Sequence, residues 1–149
     1  MTDKLIKVEL QQQKDYQFLI EFGGPVPALL CDEPAPLGGG TGPSPVQLLA
    51  SAVGNCLSDS LLFALRKFKQ SPEPIRATVV AEVGRNEHGR IRVLKIDATL
   101  QLGLEGARVE HLTSVLVQFE SFCTVTQSVG LGVPIHTRVI DINGLVLRD

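Results

Sequence analysis

Cys56 and Cys123 are the two side chains of this sequence whose chemistry could be used together. Cys56 lies in the middle of the mostly apolar stretch PVQLLASAVGNCLSDSLLFAL, residues 45–65, and Cys123 opens the segment CTVTQS. The thiolate is the nucleophilic form of cysteine, and a free thiol has a pKa of roughly 8.5, so a reactive cysteine needs neighbours that favour negative charge. Two such thiols could reduce a peroxide, because the sulfenic acid formed on one condenses with the other to a disulfide. The alternative is that both are small buried hydrophobic side chains, as free cysteines commonly are.

The sequence predicts a different environment for each cysteine. A helix interior gives Cys56 little help from the helix dipole, so its thiolate would need a nearby cation, most naturally an arginine. Cys123 is predicted to begin a short helix, where unpaired N–H groups favour negative charge. Cys31 ends an apolar strand before a charged turn, and nothing around it indicates reactivity.

Length and composition predict one soluble globular domain, residues 1–149. Hydrophobic residues are 44% and charged residues 20% of the chain, and the formal net charge is −2. We expect no nucleic-acid partner, because no basic stripe is present to neutralise phosphates. The N-terminal sequence MTDKLIKVEL lacks the pattern of a signal peptide, and no uninterrupted apolar stretch approaches the roughly 20 residues of a membrane span. A cytoplasmic protein without a membrane partner is therefore expected, and its cysteines would normally be reduced there.

No metal site is expected. The three histidines (His88, His111 and His136) lack the spacing of metal ligands, and the sequence has no C-x-x-C pair.

Hydrophobic periodicity predicts strands before a long helix. The segments KLIKVEL, YQFLIEF and VPALLCD are interpreted as strands, and DEPAPLGGGTGPSP as a loop. Ser44 and Gln47 have the spacing of a capping box, and Pro45 suits the first helical position, so the helix should begin there and continue to about Lys69. The elements predicted after it are a hairpin of IRATVVAEV and IRVLKIDATLQLG, a second helix over about Ala107–Phe122, and a closing strand PIHTRVIDI. Grouped strands of this kind indicate an α+β fold with largely antiparallel sheets around a long central helix.

The first half of that helix carries little side-chain bulk, and Gly54 alone costs about 1 kcal/mol of helix propensity relative to alanine. Another part of the protein must therefore approach closely. Packing beneath a sheet and packing against a second copy of the chain both fit this pattern.

Two motifs resemble the OsmC/Ohr family. GPSPVQLLASAVGNC is similar to the family's central-helix motif, in which a G-x-x-P-x-(E/Q)-L-L run leads to the peroxidatic cysteine. FCTVTQSVGLGVPI is similar to its second motif, although Thr124 stands where many members have proline. The predicted order of elements also agrees, so the resemblance covers nearly the whole chain.

The resemblance implies an intertwined homodimer with both active sites at the subunit interface. It implies thiol-dependent reduction of organic hydroperoxides, with Cys56 as the attacking thiol and Cys123 as the resolving thiol in an intramolecular disulfide. A dithiol would then regenerate the enzyme, and no metal, haem or flavin cofactor would be required.

The groups that would activate Cys56 differ from the family's pattern. Its peroxidases commonly use a glutamate near the start of the central helix to orient an arginine beside the thiolate, whereas Val46 and Gln47 stand here. Gln47 could hold an arginine through its carbonyl oxygen or could serve only as the capping-box partner. No arginine precedes Arg66 in the sequence. Arg90, Arg92 and Arg138 are the candidates to replace the family's arginine, although arginines at such positions are more often solvated charges at a strand edge.

Three hypotheses of function remain open. In the first, a hydroperoxide with an apolar body binds near the interface in a pocket lined by Leu48, Leu49, Val53 and Phe122. In the second, the chain is a small-molecule binding or scaffold dimer that has no peroxidase activity. The third is a different thiol-dependent reaction, such as acyl or persulfide handling, with Cys56 as the nucleophile.

Overall fold

A capping box begins the longest element of the protein, helix α1 (Pro45–Lys67). The computed structural model describes residues 2–149. The side-chain oxygen of Gln47 accepts a hydrogen bond from the N–H of Ser44 at 2.8 Å, and the Ser44 hydroxyl accepts one from the N–H of Gln47 at 3.3 Å. The predicted capping box is thus confirmed. The helix ends two residues before the predicted Lys69, whose φ of 58° takes the backbone into the left-handed region.

The chain divides into two compact units, Met1–Leu48 and Leu49–Asp149. The first unit contains an antiparallel sheet in the order β1-β2-β3, formed by β1 (Glu9–Lys14), β2 (Gln17–Glu21) and β3 (Leu29–Cys31). The prediction for β1 was displaced: KLIKVEL overlaps the strand only at its end, and the polar run QQQK, which lay outside the predicted strands, pairs with β2. Pairing with β2 sets the bounds of β1. The backbone hydrogen bonds between the two strands form whether the exposed side chains are polar or apolar, so the apolar pattern does not mark where the strand lies.

The loop after β3 is organised by the carboxylate of Asp32. This carboxylate accepts hydrogen bonds from the N–H groups of Glu33 at 2.8 Å, Gly39 at 3.1 Å and Thr41 at 3.1 Å, and from the Thr41 hydroxyl at 2.7 Å. Asp32 is buried, so its carboxylate has lost hydrogen bonds to water, and these four hydrogen bonds take their place. They fix the Gly-rich segment just before α1.

The second unit contains a four-stranded sheet in the order β4-β5-β6-β7. The predicted hairpin is formed by β4 (Arg76–Arg85) and β5 (Ile91–Gln101). The predicted closing strand is β6 (Ile135–Ile140), which pairs in parallel with β5, and the short β7 (Val146–Arg148) was not predicted. All other pairs are antiparallel in the described chain, so the predicted α+β class with largely antiparallel sheets is confirmed.

The second predicted helix is wrong as one continuous element. A 3₁₀ turn at Gly106–Arg108 precedes α2 (Leu112–Gln118), and a second 3₁₀ turn at Phe119–Phe122 follows it. His111, at a φ of 58°, interrupts the helical backbone before Leu112. The short helix predicted from Cys123 onwards is present as α3 (Thr124–Val129).

The core of the second unit forms where α1 packs against the sheet. Val53, Leu57, Leu61 and Leu65 recur every four residues along α1, and each is fully buried. By length and composition α1 could also span a membrane, contrary to the sequence-based expectation, although the core helix of a soluble protein passes the same test. A Cβ added at Gly54 would lie 2.6 Å from the Val79 side chain of β4, so the sheet is the element that needs this glycine.

Candidate functional site

Cys56 lies at the edge of the buried stripe of α1. It follows the buried Val53 by three residues and precedes the buried Leu57, so it faces the core only in part. Its side chain is half-buried and packs against the core cluster. A thiol at this position contacts apolar core side chains on one side and is partly exposed to solvent on the other.

Cys123 lies between the second 3₁₀ turn and α3, at the residue that precedes the first helical position. Its backbone is extended, with φ −81° and ψ 99°, and its carbonyl oxygen accepts the first helical hydrogen bond from Gln127 at 2.9 Å. Its thiol is fully buried. The N–H groups of the first turn of α3 have no partner within that helix and are available to another acceptor.

The two thiols and the first turn of α3 form one hydrogen-bonded group. The side chains of Cys56 and Cys123 share a hydrogen bond, and the N–H groups of Val125 and Thr126 donate to the Cys56 sulfur. The thiol of Cys123 donates in turn to Oγ1 of Thr126, at a distance of 2.9 Å between sulfur and oxygen. Cys56 and Cys123, 67 positions apart in sequence, are thus in direct contact.

Opposing influences act on the Cys56 thiol. Burial raises its pKa above the ordinary value, and the hydrogen bond with Cys123 raises it further because it favours the protonated form. The N–H groups of Val125 and Thr126 lower the pKa, because they donate to the anion. The first two effects are larger, so the pKa of Cys56 is raised overall.

The candidate activating arginines have other partners or are exposed. Arg138 donates to both carboxylate oxygens of Asp149, at 2.9 and 3.1 Å. Arg92 donates to the carbonyl oxygen of Ile91 at 2.8 Å, and Arg90 is exposed. Within residues 2–149, no guanidinium is among the groups that shift the Cys56 pKa.

The four residues predicted to line a substrate pocket have different surroundings. In the first unit, Leu48 lines an apolar groove that also contains Phe18 and Cys31. In the second unit, Val53 is fully buried in the core, and Leu49 packs against that core.

Phe122, the fourth of these residues, lies on a groove of the second unit. It is 69% exposed, and the groove has a volume of about 160 Å³. The aromatic side chains Phe63, Phe68 and Phe119 also line this groove, and the side chain of Lys67 lies at it as well. It is an apolar surface with one positive charge.

Sequence reasoning missed the part played by Thr126. A hydroxyl three residues after Cys123 is the sequence signal for it, because that spacing brings a side chain at the first turn back toward the residue before the helix. In the described part of the chain, residues 2–149, no group of three His, Cys, Asp or Glu side chains could hold a metal ion.

Residues 38–138 match the model of the OsmC-like protein family. This match covers more than half of the chain and includes both Cys56 and Cys123. The chain belongs to the OsmC-like protein family. No curated protein matches this OsmC-like chain.

Solved structures share the OsmC-like fold at low sequence identity. An OsmC-like protein of unknown function from Vibrio cholerae is 17% identical, with a TM-score of 0.80 over 93% of this chain and 100% of its own. An organic hydroperoxide resistance protein from Elizabethkingia anophelis, with thiocyanate bound, is 14% identical, with a TM-score of 0.70 over 94% and 96% of the two chains. An organic hydroperoxide resistance protein OsmC from Legionella pneumophila is 15% identical, with a TM-score of 0.67 over 93% and 98%. These similarities establish the fold.

Proposed function

We propose that this OsmC-like chain reduces organic hydroperoxides with its own two thiols, in the cytoplasm and as a homodimer. The observation that carries the proposal is the hydrogen bond between Cys56 and Cys123 beside the N–H groups of Val125 and Thr126. Organic hydroperoxide resistance proteins among the solved structures of the same fold support the substrate class.

The chemistry needs only the two thiols and an external reductant. The Cys56 thiolate attacks the outer peroxide oxygen of ROOH, the O–O bond breaks, and the alkoxide takes a proton to leave as ROH. The Cys123 sulfur then attacks the sulfenic acid on Cys56, forming the S–S bond and releasing water with the proton from Cys123. Peroxide is reduced by two electrons and the two thiols are oxidised by two. A dithiol then reduces the Cys56–Cys123 disulfide by thiol–disulfide exchange, is itself oxidised to a disulfide, and restores both cysteines.

The substrate would be a hydroperoxide with an apolar body. Phe122 precedes Cys123 directly, and the groove that it lines with Phe63 and Phe68 offers aromatic surface for an alkyl or aryl group. Burial of such a group gains about 25 cal/mol per Å² of apolar area.

A second copy of the chain would complete the site. Phe63 and Phe122, which line the same groove, are 66% and 69% exposed, and Val117 is 76% exposed. Contiguous exposed apolar surface is typical of protein interaction sites. The family resemblance implies active sites at a subunit interface, and in such a dimer the cation that Cys56 lacks within one chain would come from the partner.

The test is mass analysis after brief treatment with one equivalent of cumene hydroperoxide, followed by disulfide mapping. We expect rapid formation of a Cys56–Cys123 disulfide and one equivalent of alcohol. In Cys123→Ser, peroxide should still be consumed once, and Cys56 should remain as sulfenic acid or become overoxidised.

The matched control is Cys31→Ala, since Cys31 is a buried cysteine of the first unit with no hydrogen bond to another thiol among the described residues. This variant should react as the unmodified protein does. Reduced Cys56 after an exposure that oxidises ordinary thiols would contradict the proposal, as would unchanged steady-state turnover of Cys123→Ser.

The raised pKa of Cys56 favours a second candidate, a small-molecule binding or scaffold dimer without peroxidase activity. This candidate predicts slow alkylation of Cys56 and no rate advantage over a free thiol toward peroxide. The pH dependence of Cys56 alkylation, measured in the dimer, distinguishes the two, because the enzyme requires a population of thiolate at neutral pH.

A further inference from the structure

We propose that Thr126 is a positioning residue that directs the Cys123 sulfur toward Cys56 for disulfide closure. The inference rests on the proposed function, because it concerns the second step of that reaction. It assigns to one residue of α3 a separate contact with each of the two thiols.

The two contacts are made by different atoms of Thr126. Its side-chain Oγ1 accepts the Cys123 S–H at 2.9 Å, and its backbone N–H donates to the Cys56 sulfur. Thr126 is 7% exposed and Cys123 is 0% exposed, so water does not compete for the hydrogen bond between their side chains. A substitution of the side chain removes the first contact and keeps the second.

The hydrogen bond fixes where the proton of Cys123 points. A thiol carries one proton, and its other sulfur lone pairs face away from the S–H bond. With the proton on the side of Thr126, a lone pair of Cys123 faces the Cys56 sulfur, with which it shares a hydrogen bond. That lone pair forms the S–S bond when Cys56 is a sulfenic acid.

Thr126 also lies on the route by which the proton leaves. When Cys123 attacks, its proton must depart and the hydroxyl of the sulfenic acid must leave as water. The Thr126 hydroxyl can accept the proton from Cys123 as it releases its own to the departing hydroxyl, which leaves as water, so it assists closure without being consumed. Attack of Cys56 on the peroxide uses no atom of the Thr126 side chain.

The decisive variant is Thr126→Val, which keeps the branched shape and removes the hydroxyl. Its partner Thr126→Ser keeps the hydroxyl, and Thr126→Ala removes the hydroxyl in a smaller side chain that fits the same space. Thr124→Val is the matched control, because Thr124 is an exposed threonine in the same turn of α3. Thermal unfolding of each variant establishes that the fold is retained.

The two reaction steps are measured separately in single turnovers with one equivalent of cumene hydroperoxide. We expect alcohol formation, the first step, to stay within about twofold of the unmodified protein in all variants. Disulfide closure should slow by about three- to tenfold in Thr126→Val and Thr126→Ala, the loss expected for one hydrogen bond, with accumulation of the Cys56 sulfenic acid. Thr126→Ser and Thr124→Val should close at the original rate.

Closure of Thr126→Val and Thr126→Ala at the original rate would overturn the inference, and so would equal slowing of both steps. Equal slowing would mean that the residue only supports the local fold. Absence of peroxide-induced disulfide in the unmodified protein would instead overturn the proposed function, so the two failures are distinguished by the unmodified chain.

Discussion

Cys31 and Cys56 both have a pKa above the ordinary value, for different reasons. Burial alone raises the pKa of Cys31, at the end of β3 in the first unit. Cys56, in the second unit, is desolvated and hydrogen-bonded to a second thiol, while two backbone N–H groups favour its anion. Cys31 is closed to solvent at 6% exposure, whereas Cys56 is half-buried. A pKa shift in the same direction thus describes a buried thiol in one unit and a candidate nucleophile in the other, and the exposure and the hydrogen-bond partners of the two thiols distinguish them.

The two units also differ in how much apolar surface they bury. The main core cluster belongs to the second unit, where helix α1 supplies four fully buried side chains. In the first unit, Ile20 and Cys31 are the buried apolar side chains of the described residues. The first unit is held locally by the hydrogen bonds of Asp32, and Cys56 and Cys123 lie in the unit with the larger core.

The largest expected effect is on peroxide reduction, and it tests the difference between Cys56 and Cys31. Cys56→Ser should abolish reduction of cumene hydroperoxide, because a serine hydroxyl supplies no thiolate at neutral pH. Peroxide consumption under excess dithiol is the measurement. Cys31→Ala should retain turnover, and a comparable loss in that variant would mean that the first unit takes part in the chemistry.

The next effect concerns the core that holds α1. Leu61→Ala should lower the free energy of unfolding by about 2–5 kcal/mol, since it leaves a cavity at a fully buried position. Denaturant titration measures the change. The matched control is Leu131→Ala, at a leucine 91% exposed, where a change within about 0.5 kcal/mol is expected. Equal losses in both variants would show that Leu131 is covered in solution.

Each unit contains one buried aspartate whose loss should appear as a pH effect. The N–H and hydroxyl of Thr41 lower the pKa of Asp32. Burial acts to raise the pKa of Asp141, but the N–H groups of Gly106, Leu145 and Asn143 outweigh it and the pKa is lowered. A depressed folded-state pKa means that each carboxylate stabilises the fold above its unfolded value near 3.8, and that this stability is lost as the pH falls through the folded pKa.

Asp32→Asn and Asp141→Asn should therefore make the acid limb of the stability curve shallower. Unfolding free energies measured from neutral pH to about pH 2 provide the test. The double variant should show the shallowest limb. Parallel curves for variant and unmodified proteins would show that these carboxyl groups do not titrate differently on unfolding.

The smallest expected effect is on the free energy of unfolding, when the same Ile→Val substitution is made in each of the two units. Ile96→Val, at a fully buried residue of β5, should cost about 1.5 kcal/mol, and Ile20→Val, at 7% exposure on β2, about 0.5 kcal/mol. Equilibrium unfolding of the two variants measures both. A larger cost at Ile20 would mean that the face of the first sheet is more tightly packed in solution than a single chain shows.

Local signals determined the elements that depend on near neighbours. Ser44, Pro45 and Gln47 predicted the start of α1, and the adjacent segments IRATVVAEV and IRVLKIDATLQLG predicted the β4–β5 hairpin, because capping and tight turns are satisfied within a few residues. The boundary of β1 and the short strand β7 depended on partner strands that the local pattern does not contain. His111, in the left-handed region, interrupted the second predicted helix, although Val115 and Phe119 within its predicted range are buried in the core.

The sequence by itself determined which side chains have thiol chemistry, the long helix that carries Cys56, and the short helix that follows Cys123. Only the tertiary structure decided that these thiols share a hydrogen bond and that Val125 and Thr126 direct their N–H groups at Cys56. The tertiary structure also shows that Arg138 is hydrogen-bonded to Asp149 and not to Cys56, which it was considered to activate. The physical reason is that the start of a helix depends on residues a few positions apart, whereas contact between residues 67 positions apart depends on how α1 packs in the core.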